Sequence, residues 1–199
     1  MTISKNYILL IFVLLTSFLE AKEWNKELWT YLKYDAALKN DHRKIIKDHL
    51  KKYKNTTTKN EKIWYFMTES TLASTVGGLS AVGILSNAKD KIEPIIEQPE
   101  SKEDYMVCAV LSYIYSKVPG WPIGFGSNKR SKKWLKKALT KSADPDVSFY
   151  IAQTYHNLGN DKLAKEYANI SLAAFRKESG AYSKGKIQEI QNFSFLHTS

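Results

Sequence analysis

Cysteine is almost missing from this sequence. The single thiol, Cys108, excludes an internal disulfide, and its apolar surroundings place it inside a helix, where a lone buried thiol tolerates an oxidising compartment. Long apolar runs are also missing. The longest, 7–15, is well short of the ~20 residues that a membrane span needs. No catalytic constellation stands out: there is no triad order, no paired carboxylates in a motif, and no metal-ligand spacing. His42 and His49 have neither an i+4 histidine nor a nearby cysteine. Gly77-Gly78 lacks the Gly-Lys-Ser/Thr ending of a phosphate-cradling loop. Gly78 to Gly83 is one residue too long for a nucleophile elbow. Neither a catalyst nor a cofactor is expected. No nucleic-acid recognition motif is present either, so nucleic acid is not an expected partner.

What the chain does have is enough apolar residues to fold. At 199 residues it is long enough for one domain with a substantial core. A hydrophobic content of 43% argues against disorder. The start reads as a secretory signal over 1–21: Lys5 supplies the positive n-region, the apolar run follows, and Ala21 precedes the cut. Retention of that segment as an anchor is the alternative. No cysteine lies near Ala21 to carry a lipid. The expected location is therefore periplasmic or secreted. Cleavage would remove Lys5 and Glu20, one charge of each sign, so the net charge stays at +10. That excess favours acidic partners or an anionic membrane surface.

The rest divides into a helical-repeat domain over 22–178 and a C-terminal tail over 179–199, with one short helix expected around 186–191. Residues 23–53 read as a helical hairpin broken at Asn40-Asp41, with stripes Trp24, Leu28, Tyr31, Leu32 and Ile45, Ile46, His49, Leu50. Asn55-Thr56-Thr57 is a glycosylation sequon of a kind common by chance. Residues 61–87 form a second unit. Its small-residue run, Ala73, Ser74, Gly77, Gly78, Ser80, Ala81 and Gly83, is expected to let two helices approach closely or to mark a kink. Pro94 and Pro99 limit helix in the next stretch. Ser101 with Glu103 and Asp104 then starts a helix that is apolar nearly all round, the expected central helix.

The organising stretch is 118–126, with three of the nine glycines and two of the five prolines. Prolines so close together break a helix, and the glycines are expected to supply positive-φ conformations. Trp121 and Phe125 are too apolar for an idle loop, and the expectation is that they pack back on neighbouring helices. The alternative use of Pro119, Trp121, Pro122 and Phe125 is partner binding. Ser127-Asn128 caps the following helix. That helix carries Trp134, Leu135, Ala138 and Leu139 on one face and Lys129, Arg130, Lys132, Lys133, Lys136, Lys137 and Lys141 on the other, with no acidic residue between. Such a face is either solvated or docks an anionic partner or lipid headgroups. Asp144-Pro145-Asp146 breaks the chain, and the last hairpin is expected over 147–176, with Gly159-Asn160-Asp161 as its turn.

Ser131, Leu135, Ala138 and Leu139 align with Ala164, Ala168, Ser171 and Leu172 at an offset of 33 residues, a helix–turn–helix period. The unit Ala152, Tyr155, Gly159, Ala164 resembles a tetratricopeptide repeat. The tyrosine, Pro-Gly-Trp-Pro, Gly-Phe-Gly and Leu-Lys-Lys-Ala-Leu of the preceding unit look like exported bacterial repeat proteins. Those residues are similar to the T-component of tripartite ATP-independent periplasmic transporters. The resemblance implies an all-α fold of stacked antiparallel helical hairpins, with an ordered Pro/Gly/aromatic loop inside one hairpin. It implies a non-catalytic role in protein–protein interaction, with a periplasmic solute-binding protein of a transporter as partner. A binding protein for a small anionic ligand is the other reading. Its site would be the helix start at Ser127-Asn128, with Lys129 and Arg130 adding charge and Trp121 and Phe125 walling a pocket. Lys133 and Lys137 belong to the docking face in the first reading.

Overall fold

The computed structural model describes residues 42–52, 54–178 and 180–195. The expected signal segment and the first helix of the 23–53 hairpin lie outside them. Among the described residues there are eight α-helices and no strand. α1 is His42–Lys52, α2 Lys59–Val76, α3 Gly78–Ile92 and α4 Lys102–Lys117. α5 is Asn128–Ala138, α6 Pro145–Asn157, α7 Asp161–Phe175 and α8 Ala181–Phe195.

The boundaries follow local chemistry. Thr58 and Glu61 close a capping box before α2, and Ser101 and Asp104 close another before α4. In each, a hydroxyl takes up an amide that the first turn leaves free, and the carboxylate returns the bond. Asp144 caps α6 with Pro145 in the first turn, and Asn160 caps α7. α2 and α3 are separate helices because Gly77 sits at φ 67 and ψ −178, which no helix can contain. The kink expected from the small-residue run is thus a complete break.

The helices pack as neighbouring pairs, α2 with α3, α4 with α5 and α6 with α7, with α4 also against α6 and α8 against α7. Hydroxyls tie the pairs head to tail. Ser131 Oγ on α5 donates to the Ser112 carbonyl on α4 at 2.8 Å, and Ser171 Oγ on α7 donates to the Pro145 carbonyl on α6 at 2.6 Å. α4 is central: ten of its 16 residues are buried. Each large apolar side chain taken from water contributes roughly 1.5–3 kcal/mol, so α4, with Val107, Leu111, Ile114 and Tyr115 buried, dominates the core. Ser112 and Thr154 share a buried hydroxyl contact of 2.9 Å between α4 and α6.

The C-terminal stretch differs from the short helix expected around 186–191. It forms the 15-residue helix α8, which packs on α7 and sends Tyr182 and Ile190 into the core. Lys186 is fully buried there. Its ammonium lies 3.4 Å from Glu189, 3.9 Å from Asp146 and about over the rings of Phe149 and Tyr150, at 5.0 and 5.2 Å from their centroids. Tyr182 Oη donates to the Asp146 carboxylate. A lysine in a polar-looking tail gives no local sign of such burial, because every one of these partners except Tyr182 and Glu189 comes from α6.

Candidate functional site

The stretch 118–126 is a tight loop between α4 and α5. Gly126 N–H donates to Pro119 O at 2.9 Å and Ser127 N–H to Tyr115 O at 2.9 Å, which closes the neck. Ile123 and Gly124 N–H both donate to Gly120 O, at 3.2 and 3.1 Å. The Trp121–Pro122 bond is cis. Gly124 and Gly126 serve close approach and not positive φ, which none of the three glycines adopts. A β-carbon at Gly126 would stand 1.8 Å from the Val118 carbonyl oxygen.

The two aromatics of this loop part company. Phe125 does pack back: its ring meets Tyr115 edge-on at 5.5 Å, with the Lys89 ammonium 5.0 Å from its centroid. Trp121 does not. It is 90% exposed, and Ile123 is 61% exposed beside it. The loop is held by backbone bonds at its neck, so its tip needs no aromatic plug.

At the start of α5, Arg130 is drawn toward α4 and the segment after α3. The Arg130 guanidinium donates to Tyr115 Oη at 2.8 Å and lies 3.7 Å from Glu93. Tyr115 Oη in turn donates to Glu93. Burial, with that bond, pushes the Tyr115 phenol up to about 12. Arg130 is therefore already committed.

The lysine face is partly balanced. Lys133 and Lys137 lie 2.9 and 3.5 Å from the Glu97 carboxylate, which comes from the segment before α4. Their hydrogen bonds and charge hold Glu97 below the usual carboxylate range. Both ammonium groups also sit over the buried Trp134 ring, at 5.2 and 4.5 Å. Lys129, Lys132 and Lys136 are exposed, and no ion pair involves them among the described residues. The local sequence shows no acid on α5; the partner acid is 36 to 40 residues away.

The repeat-signature residues are structural. Ala152 and Ala164 are buried, Tyr155 stacks on Tyr167 at 5.6 Å, and Gly159 turns the chain between α6 and α7 at φ 79. Ser131, Ala138, Ala168 and Ser171 are buried at the paired positions of α5 and α7.

A second feature was not legible in the sequence. A groove of about 690 Å³ runs between α2 and α3 on one side and α4, α6 and α8 on the other. The small-residue run forms part of its wall: Ala73, Ser74, Gly77, Gly78 and Ala81 face it. At Gly77, Gly78 and Gly83 nothing lies within 4 Å of where a β-carbon would stand, so the glycines of this run leave room and do not serve a close helix contact. Leu85, Val110 and Ile114 add apolar surface, and Tyr113, Lys117, Gln153 and Glu189 add polar groups. Gln153 Oε1 is buried with no hydrogen-bond partner among the described residues. Burial and the Glu189 charge push the Tyr113 phenol upward. Leu79 and Ile123 also line the groove, and both are largely exposed, at 74% and 61%. Cys108 is remote from this chemistry, and burial pushes its thiol up to about 12.

Compared with known protein families, curated proteins and solved structures, the chain finds no match.

Proposed function

We propose that this chain is an exported, non-catalytic helical-repeat protein of the bacterial periplasm that mediates protein–protein interaction. The all-helical fold, packed in adjacent pairs, is consistent with a tetratricopeptide-like array, in which stacked hairpins leave a laterally open surface. The observation that carries the reading is the apolar groove with Leu79 and Ile123 exposed on its lip. An apolar surface of this kind, open to water, marks an interaction site more often than it marks nothing. A groove between helices suits the apolar face of a partner's helix. The sequence resemblance makes a transporter's ligand-binding protein the first partner to try.

Two groove-filling variants test this, Ser74→Trp and Ala81→Trp. Wild type and variants are used to capture proteins from periplasmic extract, with helicity and thermal midpoint measured alongside. Loss of one captured protein at unchanged fold is the expected result. Capture that is the same in both variants as in wild type overturns the groove as the docking surface.

A further inference from the structure

The structure points to a further use of the loop beside the groove, whose rim it shares through Lys117, Pro119 and Ile123, and we propose that the 118–126 loop docks the protein on an anionic lipid membrane. Among the described residues Trp121 is the most exposed large hydrophobic, at 90%. It stands at a loop tip beside Pro122 and Ile123, the latter 61% exposed. A tryptophan with one face free and neighbours that are apolar is the side chain that settles at a bilayer interface.

Along the chain on both sides of the tip the charge is of one sign, and the acids that approach from other segments face particular cations: Asp90 pairs with Lys89, and Glu93 with Arg130. From Tyr105 to Ala143 there is no aspartate or glutamate, while Lys117, Lys129, Arg130, Lys132, Lys133, Lys136, Lys137 and Lys141 all fall in that span. The hydrogen bonds from Gly126 to Pro119 and from Ser127 to Tyr115 bring the two ends of the loop together. Lys117 and Lys129 therefore flank its neck, both exposed. Lys132 and Lys136 follow Lys129 at helical spacing on one face of α5. Glu93 and Glu97 balance Arg130, Lys133 and Lys137, as described, while Lys117, Lys129, Lys132 and Lys136 have no ion pair among the described residues. An apolar tip inside a basic collar is complementary to acyl chains beneath anionic headgroups. A protein partner is the competing occupant; it would have to supply acidic groups around an apolar socket.

The inference does not depend on the partner reading, because it is tested on vesicles without other protein. The full chain is co-sedimented with vesicles of phosphatidylcholine and phosphatidylglycerol at 3:1, and with phosphatidylcholine alone. Binding to the anionic vesicles is expected to be at least tenfold stronger and to collapse in high salt. Trp121→Ser and Ile123→Ser together reduce partitioning about tenfold, and Lys117→Gln or Lys129→Gln about fivefold each, on the basis of roughly one headgroup interaction per lysine. Ile170→Ser, on α7, leaves it unchanged. Brominated lipid quenches wild-type emission more than that of Trp121→Phe. Equal partitioning of wild type and loop variants, equal binding to both vesicle types, or equal quenching of wild type and Trp121→Phe would each overturn the proposal. So would loop variants that keep vesicle binding and lose a captured protein.

Discussion

Replacing Lys186 by alanine gives the sharpest test of how the C-terminal helix is held. The side chain is wholly buried on α8, and Asp146 on α6 is 2% exposed. Removing the ammonium leaves the Asp146 carboxylate in the interior with the Tyr182 hydroxyl still donating to it but without the Lys186 cation 3.9 Å away. Breaking a buried pair from one side typically costs about 3–5 kcal/mol, because the remaining charge stays desolvated. The cation over Phe149 and Tyr150 is lost as well. Set against a total stability of roughly 5–15 kcal/mol, the variant is expected to be folded but fragile. For a chain of this size the midpoint should fall by roughly 6–20 °C. Urea unfolding followed by circular dichroism reads the change directly. Lys186→Met with Asp146→Asn removes both charges while keeping the volume, and should recover most of the loss. A fall of less than about 1 kcal/mol in Lys186→Ala, or a double variant no better than the single, would refute the view that a buried ion pair pins α8 to α6.

Three further outcomes follow from the geometry. Gly126→Ala should destabilise by about 1–3 kcal/mol through overpacking, since its β-carbon would collide with Val118, whereas Gly120→Ala, whose nearest contact is 3.6 Å, should be almost silent in the same unfolding assay. Burial alone would raise the Asp104 carboxyl, but Lys59 at 2.7 Å and the amides of Ser101 and Glu100 win and hold it below its ordinary value. Its contribution to stability is therefore full above the unfolded-state carboxylate range, at about pH 4, and is lost as pH falls through the lower folded value; the acid limb of a stability–pH curve should flatten in Asp104→Asn. Cys108, with its thiol at about 12 and no exposed surface, should react with a thiol reagent only at the rate of global unfolding, and labelling at a faster rate would contradict its burial.

Much of the helical plan could be read from short stretches, because caps and periodicity are local. Ser101, Ser127 and Asp144 start helices where they stand, since each hydroxyl or carboxylate meets amides two or three residues on. The all-round apolar pattern after Ser101 made α4 central for the same kind of reason. The candidate surfaces were only half legible. The apolar loop tip and the row of lysines were visible, but not which of them were already engaged. Trp121 looked like a plug and is bare, while Phe125 found Tyr115, because only the fold brings α4 beneath one ring and leaves the other over solvent. Glu97 neutralises two lysines from 36 and 40 residues away.

By itself the sequence determined where the capped helices α4 and α5 begin, which helix lies at the centre, and that the chain carries excess positive charge. Each of these depends on neighbours within a turn or two, or on composition. Tertiary structure alone decided that the small residues after Ala73 face a groove, that Lys186 is interior and that Trp121 is not. Burial is a property of what comes to lie opposite a side chain, and here those opposing groups arrive from other helices.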